Sequence, residues 1–79
     1  MTELQERLQT MANETFGVDV QAMRDGASYE EMGVDSLMLI EFAIDMQREF
    51  DMPMEDGELK AKFTIAETAE LLTSKGAAA

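Results

Sequence analysis

The 79-residue sequence contains no cysteine and no histidine. The chain therefore cannot form disulfides or the usual zinc sites, and it lacks the thiol nucleophile and the imidazole base on which most hydrolytic triads depend. We accordingly do not expect self-contained hydrolytic catalysis. Any stabilisation has to come from a small hydrophobic core, because no covalent or metal cross-link is available.

Basic residues are also scarce, with six Lys and Arg against seventeen Asp and Glu and a net charge of -11. Such a charge repels nucleic-acid phosphates and anionic membrane surfaces, so we expect basic proteins as partners. The first residues show neither a basic leader nor a signal-length apolar run, and no stretch approaches a membrane span of about 18 apolar residues. These features predict a cytoplasmic protein.

Proline and glycine are few, and Pro53 is the only proline among 79 residues, of which 46% are hydrophobic. The apolar residues are rich in Leu, Met and Ala, which favour helices, and the length allows one core. We predict a single all-α domain over residues 1–79 that is a monomer.

The first predicted helix runs from about Glu3 to Thr15. Thr2 and Gln5 have the spacing of a capping box, and Gly17 suits the left-handed residue that ends many helices. Its apolar stripe consists of Leu4, Leu8 and Met11. Residues 18–33 follow no single period, which predicts a long ordered loop with room for one helical turn.

The second helix is predicted over residues 35–51, with Asp35 as its N-cap. Its core stripe consists of Leu39, Phe42, Ala43, Met46 and Phe50. Four further apolar residues lie outside this stripe or on its flanks: Leu37, Met38, Ile40 and Ile44. This is more apolar surface than packing against two neighbouring helices requires, so part of it should serve another purpose.

A short helix is predicted from about Glu58 to Lys62. Thr64 and Glu67 repeat the capping-box spacing ahead of a last helix that ends near Ser74, and residues 75–79 should fray. The expected fold is a small four-helix bundle with three main helices and a short third helix between the second and the last.

Ser36 falls in the first turn of the most apolar helix. Taken alone, Asp35-Ser36-Leu37 is more often only a helix start. A helix N-terminus nevertheless favours a phosphate, because its N–H groups are free and its macrodipole is positive. Since no activating base is present, Ser36 is better interpreted as a residue to be modified than as a nucleophile.

The sequence resembles the acyl carrier proteins, whose signature is an Asp-Ser-Leu tripeptide at the start of the second helix of an acidic bundle. The resemblance rests on residues 27–29, 31–37, 48–51 and 64–65 and on Glu41. It implies that Ser36, flanked by Asp35 and Leu37 in the cofactor site, carries 4'-phosphopantetheine attached by a separate transferase. The protein would then be a non-catalytic carrier, and the thiol of the arm, which holds acyl thioesters, would explain the missing cysteine.

Some positions depart from the carriers of general fatty acid synthesis. Met38, Gln47 and Arg48 replace acidic residues that are common there, and residues 52–55 place proline earlier than the usual pattern. These departures look more like a carrier of a specialised polyketide or modified fatty acid pathway. Implied partners are the phosphopantetheinyl transferase and a ketosynthase, acyltransferase or other acyl-processing enzyme with a basic docking patch.

Residues 30–58 contain ten acidic residues and one basic residue, Arg48. For any one acid a solvated face is the better interpretation, but clustering around Ser36 favours a docking surface that steers basic partners. The predicted docking residues combine an acidic ridge with apolar neighbours: Leu37, Met38, Glu41, Ile44, Asp45 and Glu49.

Two other carriers or binders remain open, a peptidyl or aminoacyl carrier and an acidic helical adaptor without cofactor. Eight methionines in an acidic chain also suggest a calcium sensor. That hypothesis fails on spacing, because aligning Gly57 with the sixth position of a calcium loop places Met52, Met54 and Phe63 where oxygen ligands are required. Methionine at helical spacing more often belongs to a core, as we expect for Met11, Met32 and Met46.

Overall fold

The computed structural model describes residues 2–55 and 57–76. These residues form four α-helices: α1 (Glu3–Phe16), α2 (Val20–Arg24), α3 (Ser36–Phe50) and α4 (Ile65–Ser74). A short 3-10 turn (Glu30–Met32) precedes α3, and the described residues include no strand. The predicted all-α fold with four helices is confirmed. None of the helices in this part of the chain has the length and apolarity needed to cross a membrane.

Local side-chain caps define the ends of the main helices. Thr2 Oγ1 accepts from the Gln5 backbone N–H at 3.1 Å, and Gly17 ends α1 in the left-handed conformation with φ 70°. Thr64 Oγ1 accepts from the Glu67 N–H at 3.2 Å, while Glu67 Oε1 accepts from the Thr64 N–H at 3.0 Å. Both predicted capping boxes therefore form, and the predicted ends of the three main helices lie within one residue of those observed.

The predicted position of the short helix, from about Glu58 to Lys62, is wrong. The segment 58–62 forms turns and bends, and the fourth helix is α2, inside the predicted loop 18–33. Asp19 caps α2 by accepting from the Gln21 N–H at 3.2 Å. One helical turn is marginal without strong packing. The end of the 58–62 segment instead contacts the 29–30 region, where Glu30 N–H donates to the Ala61 carbonyl at 2.8 Å.

The core is built from one face of each main helix. Its members on the three main helices are Leu4, Leu8, Ala12, Leu39, Phe42, Met46, Ile65, Ala69 and Leu72, and α2 adds Met23. In the predicted α3 stripe, Ala43 and Phe50 are only half-buried. Met46 is fully buried as expected, whereas Met11 and Met32 pack against the core from partly exposed positions. The α3 stripe thus faces the core along its centre and reaches the surface at its edges.

Tyr29 joins the region before α3 to the region around α4. The residue is fully buried. Its backbone N–H donates to the Phe63 carbonyl at 3.0 Å, and its ring packs edge-on against Phe42 with centroids 6.0 Å apart. Its hydroxyl lies 2.6 Å from Thr68 Oγ1. Burial raises the pKa of this hydroxyl, and the hydrogen bond to Thr68 opposes that shift only in part.

The direction of the Tyr29–Thr68 hydrogen bond follows from proton counting. Thr68 Oγ1 also lies 2.9 Å from the Thr64 carbonyl, which can only accept. A threonine hydroxyl has a single proton, so Thr68 donates it to Thr64 and accepts from Tyr29. The Tyr29 hydroxyl is therefore the donor to Thr68, and Thr68 Oγ1 is the acceptor that satisfies its buried proton.

We predict that Tyr29→Phe lowers the free energy of unfolding by about 1 kcal/mol, because it removes one buried hydrogen bond. Thr68→Val should lower it by more, about 1–3 kcal/mol, since it leaves the Tyr29 hydroxyl buried without an acceptor. The double variant should lose less than the sum of the two changes, as measured by urea unfolding. Strict additivity would show that the two hydroxyls do not interact.

The predicted fraying of residues 75–79 falls partly on residues 77–79, which lie outside the described residues. Lys75 itself has firm contacts. Its backbone N–H donates to the Leu71 carbonyl at 3.2 Å, and its Nζ lies 2.9 Å from Glu58 Oε1. This ion pair fastens the turn region 57–62 to the end of α4.

Candidate functional site

Ser36 is the first residue of α3 and is exposed. Before it, Gly33 adopts a left-handed conformation with φ 81°, which residues with a Cβ rarely adopt. The Val34 N–H then donates to the Tyr29 carbonyl at 3.0 Å, and Asp35 Oδ1 accepts from the Met38 N–H at 2.9 Å. The chain entering α3 is thus fixed by three successive local features, which hold Ser36 in a defined place.

The chain has three serines, and their surroundings differ. Ser28 is buried, and its Oγ accepts from the Glu31 N–H at 3.2 Å. Ser74 ends α4, where the helix dipole is negative, and its hydroxyl donates to the Leu71 carbonyl at 2.7 Å. Ser36 combines exposure with the positive end of a 15-residue helix, which is the environment that a phosphate ester favours.

A cleft of about 450 Å³ lies between α3 and residues 54–55 and 57–61, with Ser36 in its lining. The α3 side of the lining consists of Ser36, Leu39, Ile40, Ala43, Ile44 and Gln47. Ser36 and Gln47 are eleven residues apart, so the cleft follows the helix for roughly 16 Å at a rise of about 1.5 Å per residue. The opposite wall includes Met54, Leu59 and Ala61. Most of the lining is aliphatic, so the cleft suits an apolar chain that begins near Ser36.

Comparison with known proteins agrees with this geometry. Residues 6–72 match the sequence profile of the family described as the phosphopantetheine attachment site. The chain therefore belongs to the phosphopantetheine-binding acyl carrier protein family. Such carriers hold acyl groups as thioesters on covalently attached 4'-phosphopantetheine, and they interact with a phosphopantetheinyl transferase and with biosynthetic enzymes. The resemblance inferred from the Asp-Ser-Leu motif is confirmed.

Two relatives indicate the breadth of the family. Polyketide-8 synthase acyl carrier protein 2 of Streptomyces avermitilis is 32% identical over 71 residues, which cover 89% of this chain and 82% of that protein. An acyl carrier protein of Bdellovibrio bacteriovorus is 33% identical over 66 residues, covering 82% of this chain and 85% of that protein. No solved structure gives a significant match.

The first half of the carrier's α3 presents a continuous apolar stripe to solvent. Leu37 is 64% exposed, Ile40 53% and Ile44 42%. The spacings of three and four residues place these side chains on one helical face. Ile40 was absent from the predicted docking residues, although its position outside the core stripe was the signal that could have added it.

The remaining predicted docking residues occupy different environments. Glu41 is exposed beside the apolar stripe. Met38 is half-buried and packs against the core. Asp45 Oδ2 lies 3.4 Å from the Thr15 hydroxyl, and Glu49 forms an ion pair with Arg7. The ridge of three acids therefore begins on the solvated face and ends against α1, and the docking role of all these residues stays a prediction.

Short polar contacts fasten the wall of the cleft opposite α3. The Glu55 N–H donates to Glu58 Oε2 at 2.8 Å, and the Glu58 N–H donates to the Glu55 carbonyl at 3.2 Å. Glu58 also pairs with Lys75. The Lys75 ammonium, and next the Glu55 N–H, hold the pKa of the Glu58 carboxyl below its ordinary value of 4.5. The contacts that link the cleft wall to α4 therefore favour the ionised form of this carboxyl.

A lowered pKa in the folded state means that the stabilisation is fully present above the ordinary pKa of 4.5. It is lost as the pH falls through the lowered value. We predict that the difference in the free energy of unfolding between the native sequence and Glu58→Gln is largest at neutral pH. This difference should shrink as the pH falls below 4.5. Urea unfolding at several pH values would measure it.

Glu70→Gln is the matched control, since it neutralises an exposed carboxylate on α4. It should produce a smaller difference at neutral pH than Glu58→Gln does. A Glu58→Gln difference that is independent of pH would contradict a stabilising role for the ionised Glu58 carboxylate.

Proposed function

We propose that Ser36 is the attachment site of the arm and that the protein is a non-catalytic carrier for fatty acid or polyketide biosynthetic enzymes. The observation that supports this best is the exposed Ser36 hydroxyl at the α3 N-terminus, in the lining of an apolar cleft. In the loading reaction, Ser36 Oγ forms a bond to the phosphorus of coenzyme A that carries pantetheine, and the bond from that phosphorus to the bridging oxygen of the diphosphate breaks. The serine proton leaves, and adenosine 3',5'-bisphosphate is released.

The residues around Ser36 fit a phosphodiester at this position. The N–H groups of the first helical turn have no intrahelical acceptors, and the helix dipole adds positive potential there. The Asp35 carboxylate accepts a hydrogen bond from the Met38 N–H, so it stabilises the first turn of α3. Leu37 follows Ser36 as the most exposed apolar side chain of α3. In our proposal Asp35 fixes the helix start, and Leu37 forms apolar contacts beside the arm.

Ser36→Ala should abolish the mass increase produced by coenzyme A and a broad-specificity phosphopantetheinyl transferase. The helical circular dichroism should remain nearly unchanged, because Asp35 and not Ser36 caps α3. Ser74→Ala is the control and should be modified like the native sequence. Modification of Ser36→Ala would place the arm elsewhere, and an unmodified native chain would favour the acidic adaptor.

We further propose that the cleft shelters the apolar part of the acyl cargo. A chain tethered near Ser36 can remove itself from water by lying against the aliphatic side chains of α3 and of the opposite wall. The pathway is one that processes fatty acyl or polyketide chains. The relative from Streptomyces avermitilis, named as a polyketide synthase carrier, supports the polyketide branch together with the departures at Gln47 and Arg48.

The partner surface in this proposal is the exposed stripe of Leu37, Ile40 and Ile44 with Glu41 beside it. An apolar centre with a charged neighbour fits a partner that has an apolar patch bordered by basic side chains, such as a ketosynthase, an acyltransferase or the transferase. Asp45 and Glu49 have contacts with α1, so we expect them to contribute less than Glu41.

Glu41→Lys should slow association with the phosphopantetheinyl transferase strongly at low salt and much less at high salt, because salt screens electrostatic steering. Glu70→Lys changes the net charge by the same amount on α4 and should have a smaller effect. Association rates from stopped-flow measurements at several salt concentrations would compare the two. Equal slowing by both variants would show that net charge alone, and not this face of α3, guides docking.

A further inference from the structure

Gln47 introduces a polar group into an otherwise aliphatic part of the cleft. Approached along α3 from Ser36, the lining passes Ile40, Ala43 and Ile44 before it reaches Gln47. Gln47 is half-buried. Its carboxamide therefore lies about three helical turns from Ser36, at the other end of the helical wall.

The hydrogen-bonding capacity of the Gln47 side chain is weakly used. Its Nε2 donates to the Met54 carbonyl at 3.4 Å, which is longer than the usual 2.9–3.0 Å of an N–H···O bond. A carboxamide offers two N–H donors and one carbonyl acceptor. This contact can be exchanged for a shorter one without large loss.

The other polar side chains in the cleft cannot take the same role. Among the described residues of the lining, Ser36 and Glu55 are the remaining ones with polar side chains. The Ser36 oxygen is the proposed attachment atom, and an ionised Glu55 carboxylate accepts hydrogen bonds but donates none. Gln47 is thus the side-chain donor that this part of the described lining offers to a bound chain.

We propose that Gln47 is a specificity-determining residue that favours acyl cargoes with a neutral oxygen, a ketone or a hydroxyl group, over fully saturated cargoes. This inference rests on the proposed sheltering of cargo in the cleft. A saturated chain that covers Gln47 removes water from the carboxamide and gives no hydrogen bond in return. A ketone or hydroxyl oxygen accepts from Nε2 and replaces that water.

The charge around the cleft restricts the oxygen to a neutral one. Glu55 lines the cleft beside Met54, and residues 30–58 carry ten acidic side chains against one basic side chain. A cargo ending in a carboxylate would enter this field at an electrostatic disadvantage. The class selected by Gln47 is therefore a chain with an internal ketone or hydroxyl group.

The test loads the native protein with an octanoyl chain or with octanoyl chains that carry one ketone at the third, fifth or seventh carbon. Each thioester is cleaved by hydroxylamine, and its rate is divided by the rate of the same thioester on free pantetheine. At least one ketone chain should be protected about tenfold better than octanoyl, the ratio expected for one additional hydrogen bond. Gln47→Met should remove this advantage, and it should protect the octanoyl thioester at least as well as the native protein does.

Gln21→Met is the control, because Gln21 lies on α2 outside the cleft and bonds to Asp25. It should keep the preference for the ketone. A measurement on the native protein avoids any dependence on variant folding: the Gln47 side-chain N–H resonances should shift with the preferred ketone chain and stay near their original positions with octanoyl.

The outcomes separate the two proposals. Protection of octanoyl and of every ketone chain to the same extent would overturn the role of Gln47 and leave the sheltering cleft intact. The same holds if Gln47→Met retains the ketone preference, or if the Gln47 resonances respond equally to both cargo types. Absence of protection for every chain would overturn the sheltering proposal and the inference with it.

Discussion

The hydrogen bonds of Tyr29 hold the segment that leads into α3. Its backbone N–H donates to Phe63, its carbonyl accepts from Val34, and its hydroxyl donates to Thr68. The segment before α3 is thereby tied to Phe63 and to α4, and the chain reaches Ser36 from a fixed point. Because the groups concerned are largely buried, breaking any of these bonds leaves polar atoms without water, which makes the arrangement cooperative. The position of the exposed Ser36 therefore depends on the buried hydrogen bonds of Tyr29.

The 15 residues of α3 face three environments: the core, the solvent and the cleft. Leu39, Phe42 and Met46 face the core. The stripe of Leu37, Ile40 and Ile44 faces solvent, and Ile40 and Ile44 also line the cleft. A helix that only packed against its neighbours would need one apolar face. The additional apolar residues of α3 form the solvent-facing stripe and one wall of the cleft. Ile40 and Ile44 belong to both, so they contribute to the proposed cargo cleft and to the proposed partner surface.

How much could be predicted from the sequence depended on whether a signal was local. Capping boxes such as Thr2 with Gln5 involve residues three apart, so the ends of the main helices were predictable. The short helix predicted at 58–62 does not form there. The bonds of Ala61 to Glu30 and of Phe63 to Tyr29 join residues far apart in sequence, so no local pattern predicts them. The motif identifies Ser36 from sequence alone. Gln47 stands out in the sequence only as a replacement of a common acid, and its place in the cleft opposite Met54 requires the structure.

The acidic segment 30–58 is not a uniform field of free charge. Two of its carboxylates are paired in the described part of the chain, Glu49 with Arg7 and Glu58 with Lys75. Both cations lie outside the segment, in α1 and next to α4, so pairing fastens the acidic segment to the rest of the fold at two points. Glu41 lies away from both pairs, on the exposed side of α3 near Ser36. Neither ion pair offsets the charge of Glu41, so this carboxylate can contribute to steering basic partners toward the face of α3 that carries Ser36.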